Sequence, residues 1–464
     1  MSACSLRRCM AVDAVAFRRL AELFRPRAVL YAVGGFCRDR LLGAEPHDLD
    51  ICSKLTVGEV TELLEGSGFV IHRSYPRLGT ACISSEGFSA EYTCFRTDSY
   101  PDGSGVHRPG EVRFTGDIAL DARRRDFTAN AVYFDPLEEG YTDPTGGIED
   151  IKNRVLRAAD TPSRVFSEDG LRVLRLARLA AETGFEPEEE TFLAARASVR
   201  NILDIVPERI LPELDRIFAA DAAYPALGTT DGHRRGLELL DELGALELLL
   251  PELTALKGLR QNANYHIYDA FRHSVEAYAA APRAIRWAAL LHDIGKRIAV
   301  ERTGKMHEHA ALGAEAASAR LAALRMPKKR AERICRLIAL HMVDLKGDMS
   351  ESKLRLFAAE NREYIEDLAA LRMADGFATR GLPADQPRFL RIYRDMLAEG
   401  APMCLADLAV TGEDAAAAGL RGAEIGEALG ELLRCAVNAP SLRRRENALA
   451  FLERRAAKAR KEEG

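Results

Sequence analysis

The segment YAVGGFCRDRLLGAEPHDLDI, residues 31–51, contains a glycine pair and two closely spaced aspartates. An apolar run ends at Gly34 and Gly35, and a short helical pattern follows before Asp48 and Asp50. We predict a strand, a glycine turn, a helix and a second strand that carries both aspartates. Because residues i and i+2 of a strand point to the same face, the two carboxylates are expected to project together, while Leu49 faces the core.

Neighbouring carboxylates repel each other unless cations neutralise them. Oxygen ligands suit Mg²⁺, which in proteins usually also binds substrate phosphates. Two such ions, about 4 Å apart, hold the attacking and leaving oxygens of a phosphoryl transfer. The turn at Gly34 and Gly35 can present backbone N–H groups to phosphates where the helix begins, and Arg38 adds positive charge. We therefore predict that Asp48 and Asp50 are catalytic and metal-binding, although a D-x-D pair by itself is common.

The composition is that of a folded protein of two to four domains, because the chain has 464 residues, of which 47% are hydrophobic and 29% charged. No apolar run approaches the roughly 20 residues of a membrane span, and the N-terminal segment lacks the apolar core of a signal peptide. The nine scattered cysteines fit a reducing compartment, so we expect a cytoplasmic protein. The net charge of −5 does not itself indicate nucleic-acid binding, which would depend on local basic patches.

The pattern of the chain changes near residue 150. Residues 1–150 alternate helical and strand patterns, including a helix at 12–24 and a hairpin that turns near Ser85–Gly87. Residues 99–114 are rich in Gly, Pro and Ser, and we expect a mobile loop there. From about residue 160 the patterns are helical, and strands are not expected to return. The sequence thus predicts an α/β head followed by a long α-helical part.

Four further motifs follow in order: RRDFTANA from Arg124, DPTGG from Asp143, EDGLR from Glu168 and PERI from Pro207. Together with the first segment they resemble the DNA-polymerase-β-like nucleotidyltransferase superfamily, in its tRNA nucleotidyltransferase and poly(A) polymerase branch. The resemblance covers about residues 25–220. It implies an α/β polymerase-β-like head (1–150), a nucleotide-selecting and RNA-binding neck (151–225), a helical body (226–380) and a helical tail that contacts tRNA (381–464). The nucleotide-binding residues that it implies are Gly34, Gly35, Arg38, Arg124, Arg125, Asp126, Asn130, Glu168, Asp169, Arg172, Arg175 and Arg178.

The EDGLR motif also has a physical interpretation. Asp169 and Arg172 are three residues apart, so on a helix they would share a face. A carboxylate accepts hydrogen bonds and a guanidinium donates them. Together they match the edge of cytosine or adenine, but not that of guanine or uracil, and so predict a protein template for C and A. The alternative is an ordinary surface ion pair.

Glu91 has two equally acceptable interpretations. It is either a third carboxylate of the metal site or an exposed strand residue.

The choice of product depends on the loop and on the segment before it. Seven loop residues resemble the flexible loop of complete CCA-adding enzymes: Tyr100, Asp102, His107, Arg108, Pro109, Val112 and Phe114. The segment PRLGTACI, residues 76–83, lacks the basic pattern of poly(A) polymerases. We therefore predict CCA addition to the tRNA 3′ end from CTP and ATP, with Mg²⁺ and with neither membrane nor DNA as a partner. The alternatives are a poly(A) polymerase, or a hydrolase whose non-catalytic head binds RNA.

A second candidate site lies in residues 261–375. LLHDIGK, with adjacent His292 and Asp293, resembles the HD phosphohydrolase superfamily. The resemblance implies a divalent metal bound by His273, His292, Asp293 and Asp375. His309 and His341 could hold a second ion, and His266 is interpreted as structural. The alternative is a helical HD module that has kept its shape and lost activity.

RNA phosphates would require Lys and Arg contacts, although charge runs are usually solvated faces. Three groups of basic residues are candidates. They are Arg172, Arg175 and Arg178; Lys328, Lys329 and Arg330; and Arg443, Arg444 and Arg445.

Overall fold

The computed structural model describes residues 13–46, 48–100 and 110–462, and the chain forms two compact units, residues 1–251 and 252–464. Every strand of the described residues belongs to the first unit. Among these residues, no helix combines the length and the apolar character that crossing a membrane requires. The predicted class, an α/β head followed by a helical part with a second helical unit, is confirmed.

The head is built on a seven-stranded mixed sheet, in the order β3-β4-β5-β2-β1-β8-β9. The pairing of β2 with β5 is parallel, and the other pairings in this sheet are antiparallel. Two small ladders, β6-β7 and β10-β11, lie outside it. The strands are β1 (Tyr31–Val33), β2 (Asp50–Ser53), β3 (Val70–Tyr75), β4 (Thr80–Ser85), β5 (Phe88–Cys94), β6 (Arg96–Ser99), β7 (Glu111–Phe114), β8 (Tyr133–Asp135), β9 (Gly140–Thr142), β10 (Val155–Leu156) and β11 (Glu186–Pro187).

Helices cover one face of the sheet and continue into the rest of the first unit. In β5, Phe88 and Tyr92 alternate with exposed residues and face a core in which Phe24 of the first helix packs on Tyr92, with ring centroids 5.9 Å apart. The helices of this unit are α1 (Ala14–Phe24), α2 (Gly35–Leu41), α3 (Val57–Leu64), α4 (Ile118–Arg123), α5 (Gly147–Asn153), α6 (Pro162–Glu168), α7 (Leu171–Thr183), α8 (Glu189–Ala197), α9 (Pro207–Ile217), α10 (Gly232–Glu242) and α11 (Ala245–Leu249).

The DPTGG segment forms the cap of α5. Both carboxylate oxygens of Asp143 accept backbone hydrogen bonds, from the N–H groups of Gly147 at 2.8 Å and Ile148 at 2.9 Å. Gly147 has no space for a side chain, because a Cβ there would lie 2.1 Å from the carbonyl oxygen of Thr128. The turn thus fixes α5 directly against the backbone of the RRDFTANA segment.

The second unit is entirely helical over its described residues. Its helices are α12 (Pro251–Thr254), which begins at the division between the units, α13 (Ala270–Ala280), α14 (Arg286–Leu291), α15 (Gly295–Thr303), α16 (His309–Ala323), α17 (Lys328–Leu340), α18 (Glu351–Glu360), α19 (Ile365–Arg380), α20 (Arg388–Ala398), α21 (Gly412–Ala417), α22 (Ala423–Asn438) and α23 (Arg445–Glu462). Gly295 allows α15 to pack closely on α16, since a Cβ there would lie 2.0 Å from the carbonyl oxygen of His309.

Three local expectations were wrong. Strand structure does return after residue 160, because β11 pairs in parallel with β10. Glu111–Phe114 is not part of a mobile loop but a strand paired with β6. Asp48 lies just before β2, which begins at Asp50, rather than inside the strand. Of the residues that resemble the CCA-specific loop, Asp102, His107, Arg108 and Pro109 lie outside the described residues. The division into four segments stays a prediction.

Candidate functional site

A cavity of about 360 Å³ in the first unit is lined by most of the residues predicted from the motifs. The predicted residues that line it are Gly34, Gly35, Arg38, Asp48, Asp50, Arg124, Arg125, Asp126, Asn130, Asp169, Arg172, Arg175 and Arg178. Glu168 is not among the lining residues and instead accepts hydrogen bonds from Arg164 at 2.8 Å and Arg172 at 3.1 Å. Motifs separated by more than 100 residues in the chain therefore converge on one cleft.

Three carboxylates meet at the edge of this cavity. Asp48 and Asp50 flank the buried Leu49, and Glu91 of β5 is the direct register partner of Asp50. Desolvation in the cavity and the Glu91 carboxylate raise the pKa of Asp50 to about 6. Gly34, with φ of 77°, brings the backbone so close that a Cβ there would lie 3.2 Å from an Asp50 oxygen. Carboxylate oxygens gathered in this way fit a hard divalent cation, which would relieve their mutual repulsion.

Arg124 and Arg125 are both held by one buried carboxylate, that of Asp121. Arg124 Nε lies 2.8 Å from Asp121 Oδ1, and Arg125 donates to Asp121 Oδ2 at 3.0 Å and to the Tyr133 hydroxyl at 3.2 Å. Sequence reasoning missed Asp121. Its spacing of three and four residues from the two arginines is the signal that could have identified it.

Asp126 connects the head to α7. Its carboxylate accepts hydrogen bonds from Asn130 at 3.0 Å, from the backbone N–H of Phe127 at 2.8 Å and from Arg175 at 2.7 Å. Burial alone would raise the pKa of Asp126, but Arg175 and Asn130 outweigh it and hold that pKa below its usual range. Arg175 is therefore bound to the RRDFTANA segment and positioned over the cavity.

A second buried network joins α2 to a distant part of the first unit. Arg38 donates to Asp39, to Asn130 at 2.8 Å and to the Tyr224 hydroxyl at 2.8 Å, and that hydroxyl donates to Asp39 at 2.8 Å. Asp39 and Tyr224 were missed, as were the cavity residues Arg209 and Arg216. No sequence signal identifies Tyr224, which stands 186 positions from Arg38.

The spacing of Asp169 and Arg172 predicts that they share a helix face, but in the structure they do not. Asp169 has extended backbone angles in the break between α6 and α7, where it accepts from the N–H of Leu171 at 3.0 Å and from Arg209 at 2.9 Å. Arg172 donates to Glu168 and, at 2.7 Å, to the carbonyl oxygen of Arg124. Both side chains nevertheless line the same cavity, so the pair remains a candidate for reading a base edge.

The basic candidates for RNA contact differ in their surroundings. Arg172 and Arg178 are only 7% and 3% exposed, and both line the cavity, so their contact with RNA phosphates stays a prediction that requires the RNA end to enter the cavity. Arg178 forms ion pairs with Glu182 and Glu213. Lys328 and Lys329 are exposed at the start of α17, and Arg330 is half-buried. Arg443 and Arg445 pair with Glu399 and Asp414, whereas Arg444 is exposed.

The second unit contains two adjoining groups of potential metal ligands among its described residues. One is His273, His292 and Asp375, and the other is Asp293, His309 and His341. Asp293 also joins the groups, because its Oδ2 lies 3.2 Å from His292 Nε2 and its Oδ1 lies 3.4 Å from His309 Nε2. The predicted ligand set is thus brought together, with Asp293 between the two groups. His266 packs beside His273, with ring centroids 5.0 Å apart, and belongs to neither group.

The imidazole rings of this cluster are oriented as metal ligands usually are. His292, His309 and His341 each place Nδ1 2.7–2.8 Å from a backbone carbonyl oxygen, which fixes the other nitrogen toward the cluster. Burial lowers the pKa of His341 to about 3, so that ring is neutral at pH 7. Nε2 of His273 lies 3.0 Å from Asp375 Oδ1 and Nε2 of His292 lies 3.2 Å from Asp293 Oδ2, but neither buried nitrogen makes a well-aligned hydrogen bond among the described residues. These nitrogens fit a divalent metal, which would supply a well-aligned partner.

Three protein-family models match the chain. Residues 30–157 match the poly A polymerase head domain, residues 184–257 match the probable RNA and SrmB-binding site of polymerase A, and residues 267–380 match the HD domain. The first match contains the acidic pair, Asp48 and Asp50. The second contains the PERI motif, and the third contains the metal-ligand cluster of the second unit.

The chain is similar to proteins named as CCA proteins, CCA-adding enzymes or tRNA nucleotidyltransferases. The chain is 32% identical over 424 residues to the multifunctional CCA protein of Xylella fastidiosa, covering 86% of this chain and 94% of that protein. It is 31% identical to the CC-adding tRNA nucleotidyltransferase of Thermus thermophilus, covering 91% and 92%. The A-adding tRNA nucleotidyltransferase of Deinococcus radiodurans is 37% identical, but the match covers 56% of this chain and 60% of that protein. The Bacillus stearothermophilus CCA-adding enzyme, solved in complex with CTP, shares the fold, with a TM-score of 0.67, 23% identity and coverage of 97% and 99%.

Proposed function

Because the chain belongs to the tRNA nucleotidyltransferase and poly(A) polymerase family, we propose that it adds or repairs the 3′-terminal CCA of tRNA from CTP and ATP without a nucleic-acid template. The observation that carries this proposal is the single cavity in which the acidic pair, the RRDFTANA segment and the Asp169–Arg172 pair converge. A cytoplasmic location agrees with this substrate and with the free cysteines of the described residues.

In the proposed reaction the 3′-OH of the RNA attacks the α-phosphate of CTP or ATP, and pyrophosphate leaves. Asp48 and Asp50, with Glu91 beside them, would hold Mg²⁺, which when bound neutralises the developing charge on the phosphate oxygens. Gly34 keeps side-chain bulk away from Asp50 and leaves the backbone accessible to the triphosphate. Arg124 and Arg125 supply positive charge from fixed positions, so the triphosphate binds without ordering flexible side chains.

Asp169 and Arg172 are proposed to select the base. The carboxylate accepts from an exocyclic amino group, and the guanidinium donates to a ring nitrogen or carbonyl, a pattern that cytosine and adenine share. The break at Gly170 keeps Asp169 next to the start of α7, because a Cβ at Gly170 would lie 2.4 Å from the carbonyl oxygen of Asn201. The selecting pair is therefore attached to a rigid part of the first unit.

Replacing Asp169 or Arg172 with alanine is expected to reduce discrimination against UTP and GTP before it abolishes transfer. A lost hydrogen-bond partner changes discrimination by roughly tenfold or more, since the remaining polar group no longer rejects the wrong base edge. The ratio of kcat/KM for CTP to that for UTP measures this effect. Arg164→Ala is the matched control, because Arg164 pairs with Glu168 at an exposed position. Unchanged selectivity in both cavity variants would refute the template assignment.

The product is tested by incubating the protein with tRNA that lacks its 3′ end and with labelled CTP or ATP. Two C residues followed by a single A support CCA addition. Because the similar proteins include CC-adding and A-adding enzymes, CTP alone and ATP alone are separate reactions of the assay, with tRNA ending in CC as the second primer. A long A tail would instead identify a poly(A) polymerase.

A second activity, metal-dependent phosphohydrolysis, is favoured by the ligand cluster of the second unit. The neutral His341, the buried Nε2 atoms of His273 and His292 and the shared Asp293 provide nitrogen and oxygen donors for one or two divalent ions. When bound, such ions lower the pKa of water and so provide a hydroxide nucleophile. Phosphate ester ends of RNA are the proposed substrate class, because the head acts on the same end.

His292→Ala is expected to weaken Mn²⁺ or Ni²⁺ binding by at least about tenfold and to abolish hydrolysis of a simple phosphodiester, because it removes one of the ligands. Calorimetric titration of the metal and release of p-nitrophenol from bis-p-nitrophenyl phosphate measure the two effects. His307→Ala is the control, since His307 is exposed in the same unit outside both ligand groups. Equal metal affinity in His292→Ala and wild type would contradict the assignment of this metal site. CTP incorporation should be the same in both proteins.

A further inference from the structure

Arg38 lies behind the glycine turn, but most of its hydrogen-bonding capacity is used inside the protein. It is 4% exposed, and a Cβ at Gly35 would lie 3.5 Å from Arg38 Nη2. The guanidinium donates to Asp39 from Nε at 2.9 Å and from Nη2 at 2.6 Å. Nη2 also donates to the Tyr224 hydroxyl, and Nη1 donates to Asn130, each at 2.8 Å. Because a guanidinium has five N–H groups, these four hydrogen bonds fix its plane and leave one N–H for a ligand.

Tyr224 holds this arrangement from a distant part of the chain. It lies between α9 and α10 and is 4% exposed. Its hydroxyl accepts from Arg38 and donates to Asp39 at 2.8 Å, so the phenol closes a ring of hydrogen bonds around the Arg38–Asp39 pair. The Arg38 Cζ atom lies 5.8 Å from the centroid of the Tyr224 ring, within the range of a cation–π contact. A phenylalanine at this position would keep the ring contact and lose both hydrogen bonds.

Through Asn130 the same network continues to α7. Asn130 Oδ1 accepts from Arg38 and its Nδ2 donates to Asp126 at 3.0 Å, so the amide group has one orientation that satisfies both partners. The Asp126 carboxylate accepts three hydrogen bonds within the protein, from Asn130, Phe127 and Arg175. The second amide N–H of Asn130, by contrast, has no partner among the described residues. Asn130 is therefore the member of this network that can donate to a ligand.

The order of these groups matches the order of the parts of a nucleotide. Arg38 adjoins the glycine turn, where the triphosphate is proposed to bind. Arg175 lies one helical turn after Arg172, which is proposed to read the base. Asn130 stands between Arg38 and Arg175 in the network. Because the sugar connects the phosphates to the base, we expect the remaining N–H of Asn130 beside the sugar hydroxyl groups.

We infer that Tyr224 is a positioning residue of the nucleotide site, and that it sets the preference for ribose over deoxyribose by fixing Arg38 and the amide of Asn130. The inference rests on the proposed nucleotidyl transfer. Without the hydroxyl, the Asp39 carboxylate loses a donor and Arg38 loses an acceptor. The guanidinium plane is then able to rotate, and the Asn130 amide with it. An amide donor that is no longer held in place distinguishes a sugar hydroxyl from a hydrogen atom less well.

The test measures the binding of CTP, 2′-deoxy-CTP and 3′-deoxy-CTP to the full chain without RNA, by calorimetric titration in the presence of Mg²⁺. Wild type should bind CTP about tenfold more tightly than at least one of the two deoxy analogues. Tyr224→Phe should reduce this ratio to about twofold, and Asn130→Ala should do the same. The double variant should show the same ratio as Asn130→Ala alone, because both changes remove one and the same effect.

Tyr141→Phe is the matched control. The Tyr141 hydroxyl accepts a hydrogen bond from Arg40, another arginine of α2, and neither residue lines the cavity. A purely structural hydroxyl would change the affinity for all three nucleotides by the same factor. Such an equal loss in Tyr224→Phe, or a ratio that this substitution leaves unchanged, would overturn the assignment.

Two further results would also overturn it. One is a wild type that binds all three nucleotides equally. The other is a double variant in which the effects of Tyr224→Phe and Asn130→Ala multiply, since Tyr224 would then act independently of Asn130. Because the titrations contain no RNA, failure of wild type to extend tRNA would refute the proposed transfer while the ratio of affinities stayed measurable.

Discussion

Asp50→Asn lowers kcat for nucleotide incorporation by at least about a thousandfold, which corresponds to about 4 kcal/mol of lost transition-state stabilisation. Asparagine has nearly the same shape, but it has no negative charge and only one oxygen. The repulsion among Asp48, Asp50 and Glu91 that a cation would relieve is thereby removed together with a ligand. We expect an equivalent result for Asp48→Asn.

Single-turnover incorporation of labelled CTP measures this loss, and the melting temperature shows that the fold is retained. Glu45→Gln, in the exposed segment before β2, removes a nearby carboxylate that does not line the cavity and should keep wild-type activity. If Asp50→Asn retained a tenth of the wild-type rate, the acidic pair would not be the metal site of the reaction.

Asp126→Asn destabilises the first unit by about 2 kcal/mol at neutral pH, because it leaves Arg175, whose side chain is 36% exposed and partly screened by solvent, without its carboxylate. The pKa of Asp126 is lower in the folded protein than in the unfolded chain, where it is about 3.9. The stabilisation is therefore complete at pH 5 and above, and it is lost as the pH falls through the folded-state value. The difference in free energy of unfolding between wild type and Asp126→Asn should decrease below about pH 4.

Hydrogen exchange of the amides in α7 is the suitable measurement, because the one tryptophan, Trp287, belongs to the second unit and does not report on the first. Asp160→Asn serves as the control. Asp160 pairs with Arg164, whose side chain is 57% exposed, and such a pair contributes less than about 1 kcal/mol. If the difference in free energy of unfolding between wild type and Asp126→Asn stayed constant from pH 7 to pH 3, that result would contradict the role of the Asp126 charge.

Local patterns in the sequence were sufficient to predict the elements that carry the chemistry. The glycine turn, the aspartates around Leu49 and the hairpin at residues 85–87 follow from period-two alternation and turn residues. The ligand cluster of the second unit spans residues 273–375, and it was predicted from the resemblance of LLHDIGK to the HD superfamily rather than from local patterns. The turn, the aspartates and the hairpin depend on neighbours in the chain, which a sequence displays directly.

Contacts between distant segments were not predictable in the same way. Tyr224 reaches Arg38 only because the end of the first unit folds back over α2, and no local pattern encodes that approach. The break at Asp169 was missed because a spacing of three residues also fits a helix. Gly170 imposes the break through its contact with the backbone of Asn201, and that contact is not visible in the sequence.

The arginines of the cavity have consequences for how ionic strength acts on this protein. Arg172, Arg175 and Arg209 already hold the carboxylates of Glu168, Asp126 and Asp169 as internal counter-ions. A nucleotide that binds there displaces acidic side chains of the protein itself, whereas RNA bound to unpaired surface arginines displaces dissolved ions. Added salt should therefore lower the affinity for RNA much more steeply than the affinity for CTP or ATP.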